Sequence, residues 1–93
     1  MKIGTPKEIK NNESRVGLTP ESVKKLCSNN NEVFVETGAG VEIGFTDEDY
    51  EAAGAIVLES ASKVYAESEL IIKVKEPLPE EFQYLTDRHT VFT

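Results

Sequence analysis

Leu70-Ile71-Ile72-Lys73-Val74-Lys75-Glu76-Pro77 decides the fold of this chain. Its apolar opening is too short for a helix and carries no polar alternation, so it reads as a strand covered on both faces. That is the signature of a parallel sheet. The predicted strand, Leu70–Val74, releases Lys75 just past its end, beside Glu76 and a proline that stops the run.

Outward from there, strand and helix signals alternate. Met1–Gly4 predicts a short strand, followed by a polar loop through Leu18. Thr19 caps a helix with Pro20 at its first position, where proline's missing N–H costs nothing. Val23, Leu26 and Cys27 give that helix its apolar stripe, Lys24 and Lys25 its solvated face, and Asn29-Asn30-Asn31 ends it. Glu32–Thr37, rich in β-branched and aromatic residues, predicts a second strand, and Gly38–Gly44 a glycine-rich loop. Thr46 and Asp49 have the spacing of a capping box for a helix through Ala53, with Gly54 as its stop. Ala55–Leu58 reads as strand and Ala61–Ala66 as helix. Beyond Val74, Pro79 opens a helix ending near Leu85, and His89–Phe92 begins another strand. This order implies right-handed crossovers and an open parallel α/β sheet with flanking helices. Such sheets collect ligands at the carboxyl ends of their strands. Arg15, in the loop after the first strand, and Lys75 both fall on that side, where two cations can grip a small carboxylate.

Composition narrows the partners. Ninety-three residues make one small domain, 39% hydrophobic and 29% charged, with a net charge of −7. That charge argues against nucleic acid and against an anionic membrane surface. No apolar run approaches the ~20 residues of a membrane helix. Lys7, Glu8 and Lys10 interrupt any signal-peptide core. The single cysteine, Cys27, has no partner for an internal disulfide, in keeping with a reducing cytoplasm.

Three segments carry a family resemblance: the opening Met1-Lys2-Ile3-Gly4-Thr5-Pro6-Lys7-Glu8-Ile9-Lys10-Asn11-Asn12-Glu13-Ser14-Arg15-Val16, the turn Val35-Glu36-Thr37-Gly38-Ala39-Gly40, and Lys73-Val74-Lys75-Glu76-Pro77. In order and spacing they resemble the N-terminal part of NAD-dependent alanine dehydrogenase, along nearly the whole chain. The resemblance implies that residues 1–93 build part of a substrate domain of flavodoxin- or Rossmann-like topology, with the nucleotide-binding domain absent. It implies NAD as the cofactor of the full-length family, none bound by this chain alone, and homo-oligomers, commonly hexamers, among full-length relatives. It makes Arg15 a ligand for the carboxylate of pyruvate or L-alanine, and Lys75 a contact near the carboxylate and the reacting oxo or amino group. The family's catalytic histidine stands a few residues beyond the Val-Phe-Thr segment, where this chain has already ended, so no catalytic residue is expected here and the chain is expected to be inactive alone. The NAD-binding subunit of proton-translocating transhydrogenase shares the opening and the glycine turn, but typically carries an uncharged residue where Lys75 stands. Two alternatives remain: a fragment of that subunit, and a stand-alone carboxylate-binding or self-associating module from a truncated gene.

Other signals read more plainly. Gly38-Ala39-Gly40 with Glu59 mimics a dinucleotide fingerprint, yet Ile43 stands where the third glycine belongs and the next helix starts only near Asp47. A turn needing positive φ is the better reading. His89 beside Asp87 and Arg88 reads as a surface loop residue rather than an acid–base group, and Cys27 as packing. Asp47, Glu48, Asp49 and Glu51 lack cation-loop spacing and read as favourable charge at a helix start, not as a metal site.

Overall fold

The computed structural model describes residues 1–7, 17–41, 44–73 and 89–92. Among these residues eight elements follow one another: β1 (Lys2–Thr5), α1 (Pro20–Ser28), β2 (Glu32–Glu36), α2 (Asp47–Ala52), β3 (Ile56–Leu58), α3 (Ala61–Glu67), β4 (Leu70–Ile72) and β5 (Thr90–Phe92). Each falls within one or two residues of its predicted place. The expected helix from Pro79 to Leu85 lies outside the described residues, as does Val74 at the expected end of β4.

Local chemistry sets the helix boundaries. Thr19 accepts the Ser22 N–H at 3.2 Å with Pro20 next to it, and Asn30 takes a left-handed turn (φ 67°) just beyond α1. Thr46 and Asp49 form a reciprocal capping box, at 3.2 and 2.9 Å. Ser60 caps α3 through the Lys63 N–H at 3.3 Å.

All strand pairs are parallel, in the order β3-β2-β1-β4-β5. The chain winds from β1 to β2 and β3 on one side, then crosses to β4 and β5 on the other. This is a doubly wound sheet whose order reverses between β1 and β4. Helices cover both faces: α1 packs on β2, α2 on β3 and α1 on α2, while α3 lies across β1, β2 and β3. The α1/α2 face holds Ile3, Leu18, Val23, Val33, Val35, Ala39, Tyr50 and Ala55. Strand alternation sends Phe34 and Ile71, in register with Gly4, to the opposite face. There Val64 packs where a Cβ on Gly4 would fall. Among the described residues, no helix is long and apolar enough to cross a membrane.

Ser68, at the end of α3, is wholly buried, and its hydroxyl has no hydrogen-bond partner among the described residues. A buried hydroxyl left unpaired costs roughly 1–3 kcal/mol. Ser68→Ala, which keeps the Cβ and removes only the oxygen, is therefore expected to raise stability by about 1 kcal/mol in urea denaturation.

Candidate functional site

The switch-point crevice of this sheet lies between the carboxyl ends of β1 and β4. Strand β1 delivers Thr5, Pro6 and Lys7 there, and β4 delivers Ile72 and Lys73. The Thr5 hydroxyl donates to the Ile72 carbonyl at 2.8 Å and joins the two strand ends. Gly17 closes over the same point. A Cβ on it would stand 2.5 Å from the Ile72 carbonyl oxygen and 2.8 Å from the Thr5 hydroxyl. Only glycine allows that backbone so near the strand ends.

Lys73 is 3% exposed, a buried ammonium at the mouth of the switch point. It was not singled out in the sequence, although a lysine set inside an otherwise apolar run is the available signal. Arg15 and Lys75, the two predicted substrate contacts, lie outside the described residues. Lys7 is exposed at the end of β1, and its backbone N–H donates to Glu36 at 2.8 Å.

The glycine turn after β2 does different work from a phosphate cradle. Gly38 has φ 78°, as the turn reading requires. The space a side chain would take at Gly40 is already filled by the Tyr50 ring and hydroxyl and by Phe45. Helix α2 begins at Asp47, well past the glycines. Glu59 is exposed and pairs with Lys63 one turn along α3. The described residues therefore do not fit a dinucleotide at this turn.

Asp47 fastens the turn. It accepts the Gly38 N–H at 2.9 Å and the Thr37 hydroxyl at 2.5 Å. Asp49 serves the capping box, so both aspartates have structural duties. Cys27 packs half-buried against the end of α2, with its sulfur 3.5 Å from the Gly54 carbonyl. His89 differs from the surface-loop expectation. It is half-buried, donates from Nε2 to the Tyr65 carbonyl at 2.6 Å and stands edge-on to the Tyr65 ring at 5.7 Å. Carbonyls in the last turn of an α-helix lack an intrahelical donor, which lets a side chain such as this one reach them. His89 precedes β5, so it sits at the amino ends of the strands, away from the crevice. A hollow of about 290 Å³ lined by Lys2, Ala66, Glu67 and Glu69 opens at that same far end. Strand topology, not hollow size, marks where a ligand belongs in such a sheet.

The sheet defines an α/β domain of the doubly wound class, with its topological switch point between β1 and β4. Residues 4–93 match the family described as alanine dehydrogenase/PNT, N-terminal domain, and the chain belongs to it. Over all 93 residues it is 53% identical to alanine dehydrogenase of Bacillus subtilis and 48% identical to that of Methanococcus maripaludis, covering 24% and 25% of those proteins. A solved L-alanine dehydrogenase superposes with a TM-score of 0.95 at 48% identity, over 98% of this chain and 25% of that one. A transhydrogenase from Sinorhizobium meliloti superposes with a TM-score of 0.90 at 36% identity, over 98% of this chain and 27% of that one. The chain thus spans about a quarter of the length of the relatives it matches.

The N–H of Gly38, then the hydroxyl of Thr37, hold the Asp47 carboxyl below its ordinary value of 3.8. A carboxylate favoured by folding contributes its full stabilisation above the unfolded value, and loses it as pH falls through the lowered folded value. Stability of the native chain is therefore expected to drop below about pH 3.8 in part through Asp47. Asp47→Asn is expected to be less stable at neutral pH and to show a shallower loss in that window, read by urea denaturation across pH 2–5.

Proposed function

We propose that the chain forms the substrate-holding part of an alanine dehydrogenase-like oxidoreductase, with Arg15 and Lys75 gripping the carboxylate end of pyruvate or L-alanine. One observation carries the reading: Gly17 and Ile72 touch at the switch-point crevice. Arg15 is two residues before the first and Lys75 three residues after the second. Consecutive Cα atoms are 3.8 Å apart, so Arg15 starts within about 8 Å of Gly17 and Lys75 within about 11 Å of Ile72. Both cations are leashed to one crevice.

The chemistry suits the pair. A guanidinium offers two parallel N–H donors to a planar carboxylate, and charge-assisted bonds contribute roughly 1.5–3 kcal/mol each. The Lys75 ammonium, a compact point charge, serves the neighbouring oxo group. Lys73, buried just past the end of β4, adds positive charge at the same end of the sheet. The dinucleotide that the family resemblance implies has no cradle among the described residues, and no hydride step is assigned to them. Cytoplasmic placement, and assembly with further copies or segments, belong to the same proposal.

Pyruvate titration of the isotope-labelled chain tests it. Saturable amide shifts are expected at Thr5, Gly17, Ile72 and Lys73. Arg15→Ala and Lys75→Ala are each expected to weaken binding by between about tenfold and about a hundredfold. A folded chain without shifts sinks the carboxylate reading. It favours instead the second reading raised by the transhydrogenase superposition, in which this crevice holds no pyruvate.

Turnover is a separate matter. The 93 residues by themselves are expected to consume no NADH with pyruvate and ammonium. A measurable rate in a clean preparation would contradict this.

A further inference from the structure

Among the described elements, β5 is the strand with the least support. It stands at the sheet's edge and pairs with β4 through three residues. The other edge strand, β3, is equally short but packs against both α2 and α3, whereas β5 packs chiefly on β4. Thr90 is exposed and Val91 only half-buried. A strand placed this way opens at low cost unless something beyond the ladder holds it.

The junction of α3 with β4 supplies that hold. Glu69 has left the helix and gives its N–H to the Lys2 carbonyl, beside β1, at 2.8 Å. Glu69 comes four residues after Tyr65, so a continuing helix would have sent this N–H to the Tyr65 carbonyl. That carbonyl takes the His89 Nε2 at 2.6 Å instead. A carbonyl can only accept, so the His89 ring carries a proton on Nε2. The Glu69 carbonyl, at the same junction, accepts the Thr90 N–H at 2.9 Å. Two consecutive residues at the start of β5 are thus caught by two carbonyls, one through a side chain and one through the backbone. Their anchor is firm. Tyr65 is wholly buried, and α3 lies across β1, β2 and β3, so the grip runs from the edge strand to the body of the sheet.

We propose that His89 is a latch: its bond to the Tyr65 carbonyl couples the opening of β5 to that of α3 and the strands beneath it, and without the bond β5 opens by itself. The device sits at the amino ends of the strands and is independent of the carboxylate reading. What it guards is β4. With β5 away, β4 becomes an edge strand, and its unpaired backbone groups offer a template to another chain.

Native-state hydrogen exchange of the 93-residue chain tests the latch at three amides. Thr90 reports the β5–β4 pairing, Glu69 the β4–β1 pairing, and Thr37, bonded to the Leu58 carbonyl at 2.8 Å, the β2–β3 pairing. His89→Phe keeps a ring beside Tyr65 and removes the donor. His89→Gln drops the ring and keeps a donor nitrogen at a similar reach. In His89→Phe, exchange at Thr90 is expected to quicken roughly three- to tenfold while Glu69 and Thr37 hold their rates. In His89→Gln, Thr90 is expected to return toward its native rate. Equal quickening at all three amides would mean lost global stability and overturn the latch. An unchanged Thr90 in His89→Phe, or the same quickening in His89→Gln, would overturn it too.

Discussion

The pairing of β1 with β4 is the constraint on which the rest depends. Two strands lying far apart in sequence sit side by side, and their connections leave in opposite directions. The Thr5 hydroxyl then joins β1 to the Ile72 carbonyl, and Gly17 settles on both. A side chain at position 17 would force these groups apart, so the crevice and the glycine define each other.

The two faces of the sheet divide the labour. On one, α3 lays Val64 over the face that holds Phe34 and Ile71, and its Tyr65 carbonyl takes the bond from His89. On the other, α1 and α2 meet, and polar groups are woven into the core. Tyr50 reaches Leu18, Asp47 holds Thr37 and Gly38, and the capping box fixes the start of α2. A motif that imitates a nucleotide fingerprint thus builds a wall. Phosphate recognition needs exposed N–H groups at a helix start. Here the glycine leads into aromatic packing instead.

Much of this was legible in the residues. Caps, glycine stops and apolar runs located every described element, because each of those signals acts within a few residues of itself. The parallel sheet followed from the unbroken Leu70-Ile71-Ile72 run. Strand order did not, since nothing local tells β4 to lie beside β1 rather than β3. The burial of Lys73, the Tyr50–Leu18 bond and the grip of His89 on the Tyr65 carbonyl were equally hidden. Each joins residues that only the completed fold brings together. His89 shows the limit well: a histidine between charged neighbours and a strand gives no hint that a helix end is waiting for it.

The long reach of the β1–β4 contact also orders events in time. Thr5 and Ile72 are 67 residues apart, whereas β1 through β3 can associate from nearer neighbours. Closing so large a loop is entropically costly and slow compared with local pairing. During synthesis, the first three strands and their helices emerge before β4 exists to join them. A nascent chain can therefore own most of its core while having no crevice at all, and the crevice arrives only with the β1–β4 contact.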